Sequence, residues 1–230
     1  LKFDGYFVEQ ELLNRMLNQI GHRGPDGRGI KACGPLGLGH CRLSILDTSI
    51  AGQQPMCNED QTIWLTYNGE IYNYQELNKQ LKKKGHAFRS RTDTEVIIHA
   101  YEEWGYACLE HFAGMFAFAL WDSHKQSLWV VRDRIGIKPL FFACLNEAFV
   151  FGSEIKAILE YPNFDRAVDF EALSYYLALN YTPAPYTLFS GVRQLMPGEY
   201  LIIEANGKIQ QRRYWDIEYH EDSSKPEKDL

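Results

Sequence analysis

Asn68, Gly69 and Glu70 stand in a row as a carboxamide, a backbone N–H with no side chain before it, and a carboxylate. The first two could stabilise a developing oxyanion, a role in which losing one donor costs about 2.7–4 kcal/mol of transition-state stabilisation. Glycine suits the second place because the backbone must come close to the reacting atom. Two more charged residues fit the same kind of chemistry. Arg42 sits in an otherwise apolar segment, where a charge needs a partner. It is either an arginine reaching a sheet edge or a guanidinium fork for a carboxylate ligand. Asp93 opens a helix after Thr92, with Glu95 completing a capping box, so it serves the helix dipole, holds the ammonium group of a ligand, or does both.

The elements that must carry these residues are legible from pattern. Thr62–Tyr67 is β-branched and aromatic and predicts a strand. Tyr74, Leu77 and Leu81 recur at helical spacing behind Asn73, with Glu76 three residues on as in a capping box. Asn-Gly can also head a hairpin turn. Here only Glu70, Ile71 and Tyr72 precede the helix cap, so Asn68–Glu70 is expected in a strand-to-helix loop. Upstream, a helix is expected over Glu9–Ile20 with Leu13, Met16, Leu17 and Ile20 on one face. His22–Gly27 forms a compact turn. Leu36–Leu46 reads as a strand with Leu36, Leu38, His40 and Arg42 on one face and Gly37 and Gly39 opposite, where a neighbouring backbone can come close.

Downstream, another helix is expected over about 93–104. Strands are expected at Met115–Trp121, Ser127–Arg132, Leu140–Ala143 and Phe149–Phe151, apolar on both faces and so covered on both sides. Helices at Ser153–Glu160 and Asp169–Asn180 and a hairpin from Gly198 to Tyr214, turning at Asn206-Gly207, complete the chain. Together they predict a layered α+β fold with two stacked sheets inside.

With 230 residues, 45% hydrophobic and 14% aromatic, the chain can bury one large core. Residues 1–215 read as one domain, and the charged stretch 216–230 as a linker. A net charge of −6 without a basic stripe gives nucleic-acid binding no electrostatic support. No apolar run is long enough to span a membrane and no signal peptide opens the sequence. The five cysteines have no Cys-x-x-Cys spacing, which suits reduced thiols in the cytoplasm, and no His-x-x-x-His pair suggests a metal enzyme.

The segments Asn68–Asn73, His22–Gly27, Arg42–Asp47, Gly114–Phe118, Arg132–Leu140 and Leu195–Gly198 together resemble the glutaminase domain of glutamine-dependent asparagine synthetases. The resemblance runs from about Phe3 to Trp215. That family consists of class II glutamine amidotransferases, N-terminal-nucleophile hydrolases with a four-layer α-β-β-α sandwich. The resemblance implies that Arg42 binds the α-carboxylate of L-glutamine and Asp93 its α-ammonium group. It implies that Leu43, Ser44, Ile45 and Leu46 line the pocket with backbone groups, that Glu70 contacts the amino-acid end, and that Asn68 and Gly69 form the oxyanion hole. No metal or other cofactor is implied for this domain.

The nucleophile in such domains is an N-terminal cysteine whose own α-amine activates the thiol. By the family pattern it falls several residues before Leu1, on a first strand that this sequence lacks, and none of the five cysteines substitutes for it. The chain as written is therefore expected to bind glutamine weakly and not to hydrolyse it. The resemblance also implies a C-terminal synthetase domain, using ATP and Mg²⁺ to activate aspartate for amidation, and leaves room for a homodimer. Two alternatives stand beside it. One is the same glutaminase serving another carboxylate acceptor, as in β-lactam synthetase-like proteins. The other is a degenerate domain kept for structure or glutamine sensing.

Overall fold

The computed structural model describes residues 1–219; most of the linker expected at 216–230 lies outside them. The chain opens with α1 (Gln10–Gln19), a helix because Leu12, Leu13 and Leu17 recur on the face that is buried. The hairpin β1 (Gly27–Cys33) and β2 (Leu36–Arg42) follows, then the short β3 (Met56–Cys57) and the long β4 (Ile63–Ile71). Helices α2 (Tyr74–Lys83), α3 (Asp93–Trp104) and the single turn α4 (Cys108–His111) lead to β5 (Gly114–Asp122), β6 (Ser127–Arg132), β7 (Phe141–Cys144) and β8 (Phe149–Gly152). The chain closes with α5 (Ile155–Ile158), α6 (Phe170–Leu179), β9 (Val192–Gln194) and the hairpin β10 (Glu199–Glu204) and β11 (Ile209–Arg213).

The strands form one six-stranded antiparallel sheet in the order β11-β10-β6-β5-β4-β3, and two smaller ones, β1-β2 and β8-β7-β9. Side-chain alternation along β5 explains the stacking. Phe116, Phe118 and Leu120 face a core shared with Leu77 and Leu81 of α2 and Val96 and Ile97 of α3. Ala117, Ala119 and Trp121 face the opposite way, into a core shared with Leu36 and Leu38 of β2 and Phe149 of β8. A third cluster joins Leu12 of α1 and Ile158 of α5 to Ala143 and Val150 on the outer face of the smaller sheets. The result is four layers, α-β-β-α, with apolar contact on both faces of β5 and β6, as expected.

The structure alters three expectations. Asn68, Gly69 and Glu70 are not in a loop: β4 continues through them, with Asn68 opposite Ala117 and Ile71 opposite Gly114. Their polarity does not end the strand because β5 supplies the ladder. Asn73 precedes α2 but makes no cap. Its Nδ2 donates to the carbonyl of His111 at 2.9 Å and its Oδ1 accepts from Ala113 N–H at 3.0 Å, tying the β4 exit to the β5 entrance. The strand read as Leu36–Leu46 ends at Arg42, where its partner β1 begins at Gly27.

The capping box at α3 is half made. Thr92 Oγ1 accepts from Glu95 N–H at 3.4 Å, but the Glu95 carboxylate turns back to the N–H groups of Arg89 and Ser90. What comes close at Gly37 and Gly39 is not backbone, as expected, but side chains: a Cβ would press on Val8 and Leu13 at Gly37 and on Leu17 at Gly39.

Candidate functional site

The edge of β4 beyond the end of β3 is the frame of the site. Two-residue alternation sends the N–H groups of Tyr67, Gly69 and Ile71 out of this edge, away from β5. Tyr67 N–H donates to Gln54 Oε1 at 2.7 Å, and Ile71 N–H to Asp93 Oδ2 at 2.9 Å. Between them, Gly69 N–H has no side-chain hydrogen bond among the described residues, and Gly69 lines a cavity of about 260 Å³ together with Asn68, Glu70, Asp93 and Arg42. Asn68 Nδ2 is buried and has no hydrogen-bond partner among the described residues, an arrangement that costs free energy unless a ligand supplies an acceptor.

The far wall is the loop after β2. Arg42 is anchored by the carbonyl oxygens of Ser49, at 2.9 Å, and Asp47. Asp47 in turn accepts from Ser49 and from Arg91 N–H, which fixes the loop against the start of α3. Leu43, Ile45 and Leu46 line the cavity; Ser44 does not, and its N–H is taken by Asp26 Oδ2 at 2.8 Å. The structure thus brings together every residue singled out in the sequence except Ser44.

The cavity carries charge of both signs. Asp93 is buried at the start of α3, and its Oδ2 also accepts from Tyr67 OH at 2.6 Å. Burial raises its pKa above the usual carboxylate range, the bonds from Tyr67 and Ile71 oppose the rise, and the charge of Glu70 adds to it. The two carboxyl groups of Asp93 and Glu70 make a place for a cation, and Arg42 a place for an anion. His40 also lines the cavity, and burial, helped by the Arg42 charge, lowers its pKa to about 4, so the ring is neutral at pH 7.

Four further participants escaped the sequence reading. Tyr67 and Gln54 complete the β4 edge, and Gln54 is itself fixed by Nε2 donating to Thr94 Oγ1 at 3.3 Å. Tyr67 was within reach of alternation, two positions before Gly69; Gln54 carries no such signal. Lys138 joins the wall from the loop after β6, held by buried Asp133, which accepts from the N–H groups of Ile135, Ile137 and Lys138. Cys41 lines the same cavity, its thiol donating to the carbonyl of Leu17, and burial raises its pKa. That is the opposite of an activated thiol.

An apolar slot of about 170 Å³ meets this cavity at Asn68, Arg23 and His40. It runs between the two sheets beside β8 and past Leu1, whose backbone pairs with Phe149 in both directions at 2.8 Å.

A family model of a glutamine amidotransferase domain matches residues 4–215. The chain is 39% identical over 213 residues to "Asparagine synthetase [glutamine-hydrolyzing] 3" of Bacillus subtilis, covering 91% of this chain and 34% of that protein. It is 36% identical over 216 residues to "Amidase chyE" of Penicillium rubens, covering 90% of this chain and 30% of that protein. The chain therefore spans about a third of the length of these relatives. Among solved structures, a glutamine phosphoribosylpyrophosphate amidotransferase from B. subtilis superposes with a TM-score of 0.66 at 22% identity, over 92% of this chain and 48% of that one. That likeness shows a shared fold.

Proposed function

The chain belongs to the class II glutamine amidotransferase domain family, and from that premise we propose that its polar cavity binds L-glutamine for hydrolysis to glutamate and ammonia. Arg42 takes the α-carboxylate, Asp93 and Glu70 take the α-ammonium group, and the side-chain amide extends toward Asn68 and Gly69. There the developing oxyanion meets Asn68 Nδ2 and Gly69 N–H. The observation that carries this reading is the buried Asn68 Nδ2, unpartnered among the described residues, beside Gly69 on the wall of the cavity. Backbone of the segment Leu43–Leu46 shapes the pocket, with Ser44 acting only through its tie to Asp26.

The nucleophile in this reading is a cysteine ahead of Leu1. A segment extending the pairing of Leu1 with Phe149 along β8, toward Phe151 and Ser153, would follow the apolar slot and arrive beside Asn68. The ammonia would pass to a synthetase domain outside the chain, which uses ATP and Mg²⁺ to amidate aspartate in the cytoplasm; a homodimer of the whole protein is compatible with this. The 39% identical asparagine synthetase supports that acceptor by its name, while the 36% identical relative is named an amidase and leaves room for another carboxylate acceptor as the second reading.

The test is intact-mass analysis of the protein expressed from its full reading frame, before and after exposure to 6-diazo-5-oxo-norleucine. One adduct, mapped by peptide sequencing to a cysteine ahead of Leu1, is the expected result. An adduct on Cys41, or none, overturns the assignment. D-Glutamine and glutamine lacking its α-carboxylate should be poor substrates; turnover of either at the rate of L-glutamine would remove Arg42, Glu70 and Asp93 from their roles.

A further inference from the structure

Away from the cavity, half-buried His86, buried His99 and exposed Glu102 each bring one ligand atom within 4.8 Å of the others. His86 follows the C-terminus of α2, and His99 and Glu102 lie three residues apart on α3. The Nδ1 atoms of His86 and His99 are 3.3 Å apart, Glu102 Oε2 is 2.8 Å from His99 Nδ1, and it is 3.5 Å from His86 Nδ1. Nitrogen and oxygen ligands at bond lengths of about 2.0–2.2 Å around a tetrahedral ion are themselves separated by about 3.3 Å, so the triangle has the dimensions of one face of such a site.

The surroundings are those of ligands rather than of a lone buried histidine. His86 Nε2 faces Glu103 Oε2 at 3.3 Å, whereas His99 Nε2 lies 3.8 Å from Glu95 Oε1 and has no hydrogen-bond partner among the described residues. A carboxylate behind the outer nitrogen is the usual support of a metal-bound imidazole, because it fixes the ring and the tautomer. Glu102 Oε1 is likewise held, by Asn58 Nδ2 at 2.9 Å. The edge of Phe88 packs on the His99 ring at 4.6 Å between centroids, which limits its rotation. Lys84 pairs with the other oxygen of Glu103 and balances part of the acidic charge.

We propose that His86, His99 and Glu102 form a binding site for a first-row divalent cation of the Zn²⁺ type, with water as the fourth ligand. Two imidazoles and one carboxylate suit Zn²⁺ better than Mg²⁺ or Ca²⁺, which prefer oxygen. The ion would tie the α2 C-terminus to α3, a structural rather than catalytic position. The competing occupant is a proton: burial would lower the His99 pKa, yet its bond to Glu102 and the nearby Glu95 carboxylate raise it to about 9. A bound cation must displace that proton.

The experiment uses the 230-residue chain, stripped with chelator and titrated with Co²⁺ as a spectroscopic probe and Zn²⁺ as competitor. One equivalent of Co²⁺ should bind, giving visible bands of a four-coordinate nitrogen and oxygen site with no thiolate charge-transfer band, and Zn²⁺ should bleach them. His86→Ala and Glu102→Gln should each weaken the affinity more than about tenfold while far-ultraviolet dichroism stays unchanged. Because His99 is buried, His99→Gln serves only as a third variant. Absence of binding at one equivalent, a thiolate band, or unchanged affinity in both His86→Ala and Glu102→Gln would each overturn the proposal.

Discussion

Asn68 and Gly69 are adjacent and share one proposed role, yet the structure gives them different liabilities. Asn68 offers an Nδ2 donor that no group among the described residues accepts, so Asn68→Ala removes no bond from that atom. It should leave folding intact and lower kcat of the complete enzyme by about 10²–10³-fold, with KM changed far less. Steady-state kinetics checks this, and a variant with wild-type kcat would end the oxyanion assignment. Gly69→Ala is different, because a Cβ there collides with the carbonyl oxygen of Met115 and presses on the Tyr67 ring. That variant should lose stability first, visible as a drop in urea midpoint. The sequence reading chose glycine for access to the reacting atom; the register with β5 requires it as well, and no pattern within one strand shows what lies opposite.

Asp93 yields a second prediction at the same scale. Its carboxyl is held high by burial and by Glu70, so in the empty site it takes up a proton at higher pH than an ordinary aspartate. An ammonium group favours the ionised form and pulls the pKa down. The complex thus holds fewer protons than the free site, and affinity for L-glutamine must rise with pH through the Asp93 titration and level off above it. Calorimetry across acidic to neutral pH in two buffers should show tighter binding with rising pH and proton release in the acidic range. Affinity that is flat, or that falls as pH rises, would contradict the ammonium role.

At the level of elements, legibility followed hydrophobic redundancy. β5, β6, β10 and α1 were readable because their own apolar pattern specifies them. β1 and β9 were not, because Arg28, Lys31 and Arg193 interrupt strands whose partners keep them extended, and β3 was not because two residues, Met56 and Cys57, are too few to show alternation. The Asn73 signal misled for a related reason. Its local pattern matches a cap, but the β5 entrance offers its side chain a carbonyl and an N–H at once. Asn73→Ser, which keeps a capping residue and loses the bridge, should therefore destabilise the protein by about as much as Asn73→Ala. Each lost bond is worth about 0.5–1.5 kcal/mol. Chemical denaturation of both variants checks this, and wild-type stability in Asn73→Ser would restore the cap.

For the whole molecule, stacking two sheets puts His40 between the charged cavity and the apolar interior, and this couples stability to pH. Its pKa falls to about 4 from an ordinary 6.5, through burial first and the Arg42 charge second. Between those values the unfolded chain binds more protons than the folded one, so stability rises with pH and is lost on acidification from about 6.5 to 4. The full shift corresponds to at most about 3 kcal/mol. His40→Gln cannot titrate, and its urea midpoint should change less than that of the wild type over this range. An equally steep acid limb in both proteins would place the loss elsewhere. The sequence put His40 and Arg42 on one face by alternation, but the depression of the pKa depends on the second sheet closing over that face, a packing distance that no single strand records.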